Sequence, residues 1–142
     1  MKRAKKIRFL SIFWSLFIGI GALWGGSLML IDPSGKLLKL DMILPFLQKL
    51  PFAEIFFQNF LFPGIALLVT NGLSNFISFI FILKNHRYGA LSVMICGMIL
   101  VLWITVQFII FPFNFLSTLY FIFGALQIWT GYSYHKRIFK TI

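Results

Sequence analysis

The chain has 142 residues, of which 60% are hydrophobic and only 11% charged, and its mean hydropathy is +0.94. A soluble domain has about a quarter of its residues charged, so this composition excludes an ordinary soluble protein and indicates a small integral membrane protein. The formal net charge is +10, and the single cysteine, Cys96, excludes an intrachain disulfide and a CxxC redox motif.

Three long stretches of the chain carry no formal charge. They lie between Arg8 and Asp32 (23 residues), between Glu54 and Lys84 (29 residues) and between Arg87 and Lys136 (48 residues). A spanning helix needs about 20 apolar residues, so the first two stretches each predict one span and the third predicts two. The third is interrupted by FPFNF, residues 111–115, where Pro112 and Asn114 favour a turn. We therefore predict an all-α membrane protein, a single domain over 1–142 that forms a four-transmembrane-helix bundle with spans at 9–30, 59–83, 89–111 and 116–134.

The basic residues are distributed unevenly between the two ends of these spans. Ten lie on one side with no acid among them: Lys2, Arg3, Lys5, Lys6, Arg8, Lys84, Arg87, Lys136, Arg137 and Lys140. On the other side three lysines are balanced by all three acids: Lys36, Lys39 and Lys49 against Asp32, Asp41 and Glu54. The positive-inside rule makes both termini cytoplasmic in a multi-pass protein of the plasma (inner) membrane. The same charge predicts contact with anionic headgroups of membrane lipids, not with nucleic acid.

The first span has a stripe of small residues. Ser11, Ser15, Gly19, Ala22 and Gly26 recur at spacings of three and four, which places them on one helical face. Such a face lets a second helix approach closely, so we expect it to point into the bundle. On an adjoining face Gly21 and Gly25 form a GxxxG pair, which permits a dimer without requiring one.

The loop after the first span is the longest segment outside the predicted spans. It begins with a turn, Asp32-Pro33-Ser34-Gly35, in which proline presets φ and glycine permits the chain reversal. A short amphipathic segment follows, with apolar residues at helical spacing: Leu37, Leu40, Leu44 and Leu47. It is too short to span, so we expect it to cap the helix ends or rest in the lipid interface on the outer face. A substrate-gating lid is the alternative.

Each later span places its small and polar residues on one face. The second span has Gly64, Asn71, Asn75 and Ser78; the third has Gly89, Ser92, Cys96, Leu100, Trp103 and Gln107; the fourth has Ser117, Tyr120, Gly124, Gln127, Gly131 and Tyr134. Counted from the outer ends at about 1.5 Å per residue, Asn71 and Gln127 come to similar depths near the midplane. We predict that they hydrogen-bond across the bundle. The alternative is an intramembrane polar pocket lined by Asn71, Asn75, Trp103, Gln107 and Gln127.

Several chemistries are disfavoured by what the predicted spans lack. None contains Asp, Glu, Lys, Arg or His, whereas proton relays and ion-coupled pumps use ionisable groups within the membrane. The acids are all in the outer loop and both histidines, His86 and His135, are on the cytoplasmic side. This separation leaves no Ser-His-acid set for catalysis and no metal-ligand cluster. We expect no catalytic residue, no metal and no cofactor.

A series of short motifs gives the chain a family resemblance. In order they are Gly25-Gly26, Asp32-Pro33-Ser34-Gly35, Pro51-Phe52, Pro63-Gly64, Trp103-Ile104-x-x-Gln107, and Leu119-Tyr120-Phe121 with Gly124. Their order and spacing resemble an uncharacterised family of small bacterial four-helix integral membrane proteins. The resemblance implies the topology but no catalytic residue. A distant similarity to DoxX-like bundles is one of architecture only.

Two classes of function remain after these exclusions. One is a non-enzymatic accessory or scaffold bundle, or a lipid-binding one, with a protein partner or a homo-oligomer as further alternatives. The other is a small transporter, channel or hydrophobic-ligand carrier with a polar pocket near Asn71, Gln107 and Gln127. An enzyme acting on lipid is disfavoured, because all the candidate acids lie in one loop.

Overall fold

The regular structure is entirely helical throughout the described part of the chain. The structure is a computed structural model that describes residues 2–111 and 114–140. Its helices are α1 (Lys2–Ile31), α2 (Leu44–Leu47), α3 (Ala53–Phe56), α4 (Leu61–Leu67), α5 (Ser74–Leu83), α6 (Gly89–Ile110) and α7 (Phe115–Lys140). A 3-10 turn (Asp41–Ile43) precedes α2, and a π-helical turn (Leu68–Leu73) joins α4 to α5 without a break.

Three helices of the described chain are long and apolar enough to cross a membrane. They are α1, the composite helix Leu61–Leu83 and α6. These three match the first three predicted spans, so the prediction of a helical membrane protein is confirmed. The fourth predicted span lies within α7, but this helix is not one of the three. Four spans therefore remain a prediction.

The small-residue stripe of α1 faces the interior, as predicted. Ser11, Ser15, Gly19, Ala22 and Gly26 are all buried, whereas the large apolar side chains of α1 that lie between them are mostly exposed. The closest approach is to α4, where a Cβ added at Gly26 would lie 3.0 Å from the Gly64 carbonyl oxygen. This contact leaves no room for a side chain larger than glycine at either position.

The GxxxG pair of α1 is occupied by contacts within the chain. A Cβ added at Gly21 would lie 3.0 Å from the Tyr120 hydroxyl, and one added at Gly25 would lie 3.6 Å from Leu67. Both glycines therefore lie beside other helices of the same chain, although each is only half-buried. A dimer through this pair stays a prediction.

The tightest pair of helices is α6 and α7. Glycines from both helices let the backbones touch: a Cβ at Gly97 would lie 2.9 Å from the Gly124 carbonyl oxygen, and one at Gly131 would lie 2.6 Å from the Met94 backbone nitrogen. The two helices follow one another within a few residues, as the predicted FPFNF hairpin requires. Asn114 accepts a hydrogen bond from the Ser117 backbone N–H at the start of α7, whereas Pro112 lies outside the described residues.

The C-terminal end of α5, which is predicted to face the cytoplasm, ends in a Schellman motif. Asn85 is left-handed (φ 50°) and its N–H donates to the Ile82 carbonyl, while the His86 N–H donates to the Phe81 carbonyl. The guanidinium of Arg8 adds hydrogen bonds to the carbonyls of Ile82 and Leu83 (3.2 and 3.3 Å). The basic start of α1 is thus attached to the C-terminal end of α5, where a cation also interacts favourably with the helix dipole.

We predict that Asn85→Val lowers the free energy of unfolding by about 1–2 kcal/mol, because a β-branched residue fits the left-handed region poorly. Asn85→Gly, the matched change, is expected to be neutral or slightly stabilising. Thermal unfolding of both variants in detergent measures the difference. Equal stability of the two variants would contradict the motif.

The outer loop differs from its predicted form. Lys39 (φ 55°) is left-handed and divides the leucine stretch, so Leu37 lies in a turn and only Leu44 and Leu47 belong to α2. Leu47 is buried whereas Leu37 is exposed. The regular leucine spacing therefore does not mark one helical face, because backbone reversals within the stretch outweigh its apparent periodicity.

Candidate functional site

One buried pair of amide side chains joins α5 to α7. Gln127 Nε2 donates to Asn75 Oδ1 at 2.8 Å, and both side chains are fully buried. The predicted partner of Gln127 was Asn71, and this prediction was wrong. Asn71 is buried one helical turn away and its side chain contacts Thr70 instead. The expectation that these amides face the interior, not lipid, is confirmed.

The orientation of the pair is fixed by the backbone. Asn75 Nδ2 donates to the Asn71 carbonyl oxygen at 2.7 Å, and a carbonyl can only accept. The oxygen of Asn75 therefore faces Gln127, which must present its nitrogen. Gln127 Oε1 is consequently directed away from the pair, buried and without a hydrogen-bond partner in the described residues.

A second buried oxygen is left over at Asn71. Its Nδ2 donates to Thr70 Oγ1 (3.1 Å), and the Thr70 hydroxyl uses its only proton on the Ala66 carbonyl (2.7 Å). Thr70 must therefore accept, so the Asn71 amide presents nitrogen on that side. Asn71 Oδ1 is buried with no partner in the described part of the chain. Both leftover atoms are acceptors, and a buried unpaired acceptor costs about 1–3 kcal/mol.

The π-helical turn is where these polar groups concentrate. It contains Thr70 and Asn71, and the Ser74 hydroxyl directly after it donates to the Thr70 carbonyl. π-turns are rare, widen the helix by one residue and occur frequently at functional sites. Here side-chain donors bond to the carbonyls of the distorted turn. Sequence reasoning missed this turn, since no composition rule distinguishes VTNGLS from an α-helical segment.

A serine cluster lies beside the amide pair and joins three helices. Ser78 is fully buried on α5 and is contacted by Ser92 of α6 (2.9 Å) and by Ser15 of α1 (3.5 Å). Cys96, one turn along α6 from Ser92, is buried as well. These residues were all assigned to inward faces from their spacing. Their mutual contacts were not predicted.

The other two residues of the predicted pocket lie elsewhere. Gln107 Oε1 accepts a hydrogen bond from the Ser117 hydroxyl (3.0 Å) near the α6–α7 hairpin. Trp103 packs against the hydrophobic cluster that includes Ile18 and Leu100. The structure thus brings Asn71, Asn75 and Gln127 together, while Gln107 and Trp103 belong to separate contacts between neighbouring helices.

The Asp32-Pro33-Ser34-Gly35 turn is built as predicted, with Gly35 at φ 79°. The Asp32 carboxylate accepts hydrogen bonds from the Ser34 hydroxyl and from the backbone N–H groups of Ser34 (3.2 Å) and Leu37 (2.8 Å). These bonds, that of the Ser34 hydroxyl first, hold the pKa of Asp32 below its ordinary value. The turn packs on Phe60, whose N–H donates to the Pro33 carbonyl (2.8 Å), so it is attached to the entry of α4.

We predict that Asp32→Asn destabilises the protein near neutral pH but not in acid. Because the folded pKa is lowered, the carboxylate stabilises the fold above the unfolded-state pKa of about 4, and this contribution is lost as the pH falls through the folded pKa. The difference in unfolding temperature between wild type and variant is therefore expected to shrink on acidification. A difference independent of pH would contradict the role of the carboxylate.

The chemistry available to this interior is hydrogen bonding between neutral groups. No cluster of three His, Cys, Asp or Glu side chains that could hold a metal ion occurs within the described residues. The buried polar side chains are amides and hydroxyls, together with one thiol. Such groups fasten helices to one another or bind a neutral polar ligand.

Comparisons with known proteins return no counterpart. The chain has no significant match to a family model, a curated protein or a solved structure. The resemblance described from the short motifs therefore remains an expectation.

Proposed function

We propose that the protein is a non-enzymatic, four-span bundle of the plasma (inner) membrane that serves as an accessory or scaffold protein and binds anionic lipid at its cytoplasmic face. The observation that carries this proposal is how the interior polar groups are used. The amide pair, the serine cluster and the Gln107–Ser117 bond each connect two or more helices of this chain. Polar groups used in this way are fasteners, and fasteners need no ligand.

The proposed orientation is supported by the ends of the helices. Both α1 and α7 continue as regular helix through their basic residues, from Lys2 to Arg8 and from Lys136 to Lys140. The six-residue rise from Lys2 to Arg8 is about 9 Å, comparable to the depth of a headgroup layer. Arg8 also connects this segment to the end of α5, beside the Lys84–Arg87 loop. A concentration of cations at one end of the bundle favours anionic headgroups there.

Lipid binding at the cytoplasmic face is tested by removing positive charge from one end of the bundle at a time. We expect Lys2→Gln/Lys5→Gln/Lys6→Gln to retain fewer phosphatidylglycerol molecules in native mass spectrometry than the wild type, at about 1 kcal/mol per removed charge. The matched control is Lys36→Gln/Lys39→Gln/Lys49→Gln, which removes three charges from the opposite side. Equal losses in the two triple variants would overturn the assignment of the cytoplasmic face.

A second function, that of a small transporter, channel or ligand carrier, is favoured by one observation. Asn71 Oδ1 and Gln127 Oε1 are buried acceptors, close to the π-turn, that receive no hydrogen bond from any described residue. A small polar molecule that carries N–H or O–H groups would satisfy them after a local opening of the bundle. The test is native mass spectrometry in mild detergent. A stoichiometric adduct that disappears in Asn71→Leu but persists in Gln107→Leu would establish this function, and a bare chain would favour the fastener role.

A further inference from the structure

Large apolar side chains are exposed on the outer loop between α1 and α4. Met42 is 81% exposed, and Phe52 and Ile55 are each 72% exposed. Loops that run through water present mostly polar side chains, and exposing three such residues forgoes the free energy of burying them. Nothing in the described part of the chain covers these side chains.

The backbone at Phe52 adds a second, independent observation. Its φ of 62° lies in the left-handed region, which a phenylalanine rarely adopts. Such strain costs about 1–3 kcal/mol and persists where the surroundings hold the conformation, and here the ring is 72% exposed. Contacts with something outside the chain would help to hold it.

Aromatic contacts fix the height of this part of the loop. The rings of Phe56 and Phe57, on and directly after α3, lie 4.8 and 5.9 Å from that of Phe62. Phe62 belongs to the first turn of α4, so α3 lies level with the outer end of the second long helix. This level is the membrane–water interface in the proposed topology. Phenylalanine and leucine side chains form the apolar face of helices that lie in that boundary.

The charge of the loop argues against a charged protein partner as the cover. Three lysines balance three acids between Asp32 and Asn59, so the loop is electrically neutral. The exposed face of α4 begins with Leu61 and Phe62 and continues at Ile65, so the apolar surface of the loop runs into a surface that faces lipid in the proposed topology. Apart from Glu54, which is exposed between Phe52 and Ile55, this surface is apolar and continuous with a lipid-facing one, which matches acyl chains.

We propose that α3 and the residue before it insert Phe52 and Ile55 into the outer leaflet, so that lipid covers both side chains and anchors the loop over the outer end of the bundle. The inference rests on the proposed membrane topology. The topology alone leaves open where the outer loop lies. The proposal adds that this loop is immersed in the membrane interface and is not a cap surrounded by water.

Spin-label accessibility in liposomes tests the proposal directly. In a Cys96→Ala background, single cysteines are introduced as Phe52→Cys and Ile55→Cys, with Lys36→Cys as the exposed polar control from the same loop and Leu102→Cys as a reference on α6. Collision with dissolved oxygen is compared with collision with a charged chromium oxalate complex, which hydrocarbon excludes. The oxygen-to-chromium ratio at 52 and 55 is expected to exceed that at 36 by about threefold or more.

The reference position, 102, distinguishes failure of the loop anchor from failure of the membrane topology. A high ratio at 102 together with low ratios at 52 and 55 would overturn the anchor and leave the spans intact, pointing to a water-facing surface that a protein partner covers. A low ratio at 102 would overturn the membrane topology and the anchor with it. Ile55→Cys repeats the measurement without altering the strained residue, so a local rearrangement at Phe52→Cys cannot decide the outcome.

Discussion

Gly131→Ala is expected to cost about 3 kcal/mol of unfolding free energy, the upper part of the range for overpacking a close contact. A Cβ at this position would lie 2.6 Å from the Met94 backbone nitrogen and 2.9 Å from its Cα. Both atoms belong to the backbone of α6, so no change of rotamer relieves the clash and the helices must separate. Separation would also disturb the neighbouring contact between Gly97 and Gly124.

The matched control for this prediction is Gly25→Ala on α1. There the nearest atom to a new Cβ is the Leu67 methyl carbon at 3.6 Å, an ordinary contact. Alanine is the better helix former, so this variant is expected to be neutral or more stable than the wild type. Reversible unfolding in mixed micelles measures both. A Gly131→Ala variant as stable as Gly25→Ala would show that α6 and α7 are not packed backbone to backbone.

The helical architecture was predictable because it depends on simple counts. Uncharged stretches bounded by Arg8, Glu54 and Arg87 are long enough to span, and spacings of three and four residues assign the inward faces. The stripe from Ser11 to Gly26 is buried throughout for this reason. The spacing of inward-facing residues repeats at every turn of a helix, so an irregular turn at one place leaves the pattern recognisable in the rest.

The partner of Gln127 was not predictable in the same way. The depth count placed Asn71 level with Gln127, whereas Asn75, one turn further along the helix, is the residue that faces Gln127. The π-turn at Leu68–Leu73, which the count did not include, adds one residue to a turn and accounts for only part of this difference. An error of one turn changes the hydrogen-bond partner without changing which face is buried.

The outer loop was misjudged for a related reason. Its leucine spacing is helical, yet left-handed residues at Lys39 and Phe52 divide the segment. Neither is glycine, the usual signal of such a conformation, so the sequence gives no warning. The Asp32 turn, in contrast, carries the residues that a tight turn requires and was recognised from them.

Asn75→Leu is expected to destabilise the protein by about 2 kcal/mol, because it removes the acceptor of Gln127 Nε2 and leaves the whole buried amide unpaired. Gln127→Leu is expected to cost less, about 1 kcal/mol, since it also removes the unpaired Oε1. The double variant should lose less than the sum of the two. The coupling energy that the cycle gives is expected to lie between about 0.6 and 2 kcal/mol, the range for interhelical hydrogen bonds in membranes.

Gln107→Leu provides the matched amide that shares no partner with the pair. Its bond is to Ser117 near the α6–α7 hairpin, so its cost should add to that of Asn75→Leu without coupling. Coupling at 75 and 127 with additivity at 107 identifies the interhelical bond as a fastener. If Asn75→Leu instead leaves stability unchanged while a bound small molecule is lost, the same amides are a ligand site. The presence or absence of this coupling, together with the fate of a bound molecule, thus decides between the two functions that the buried amides support.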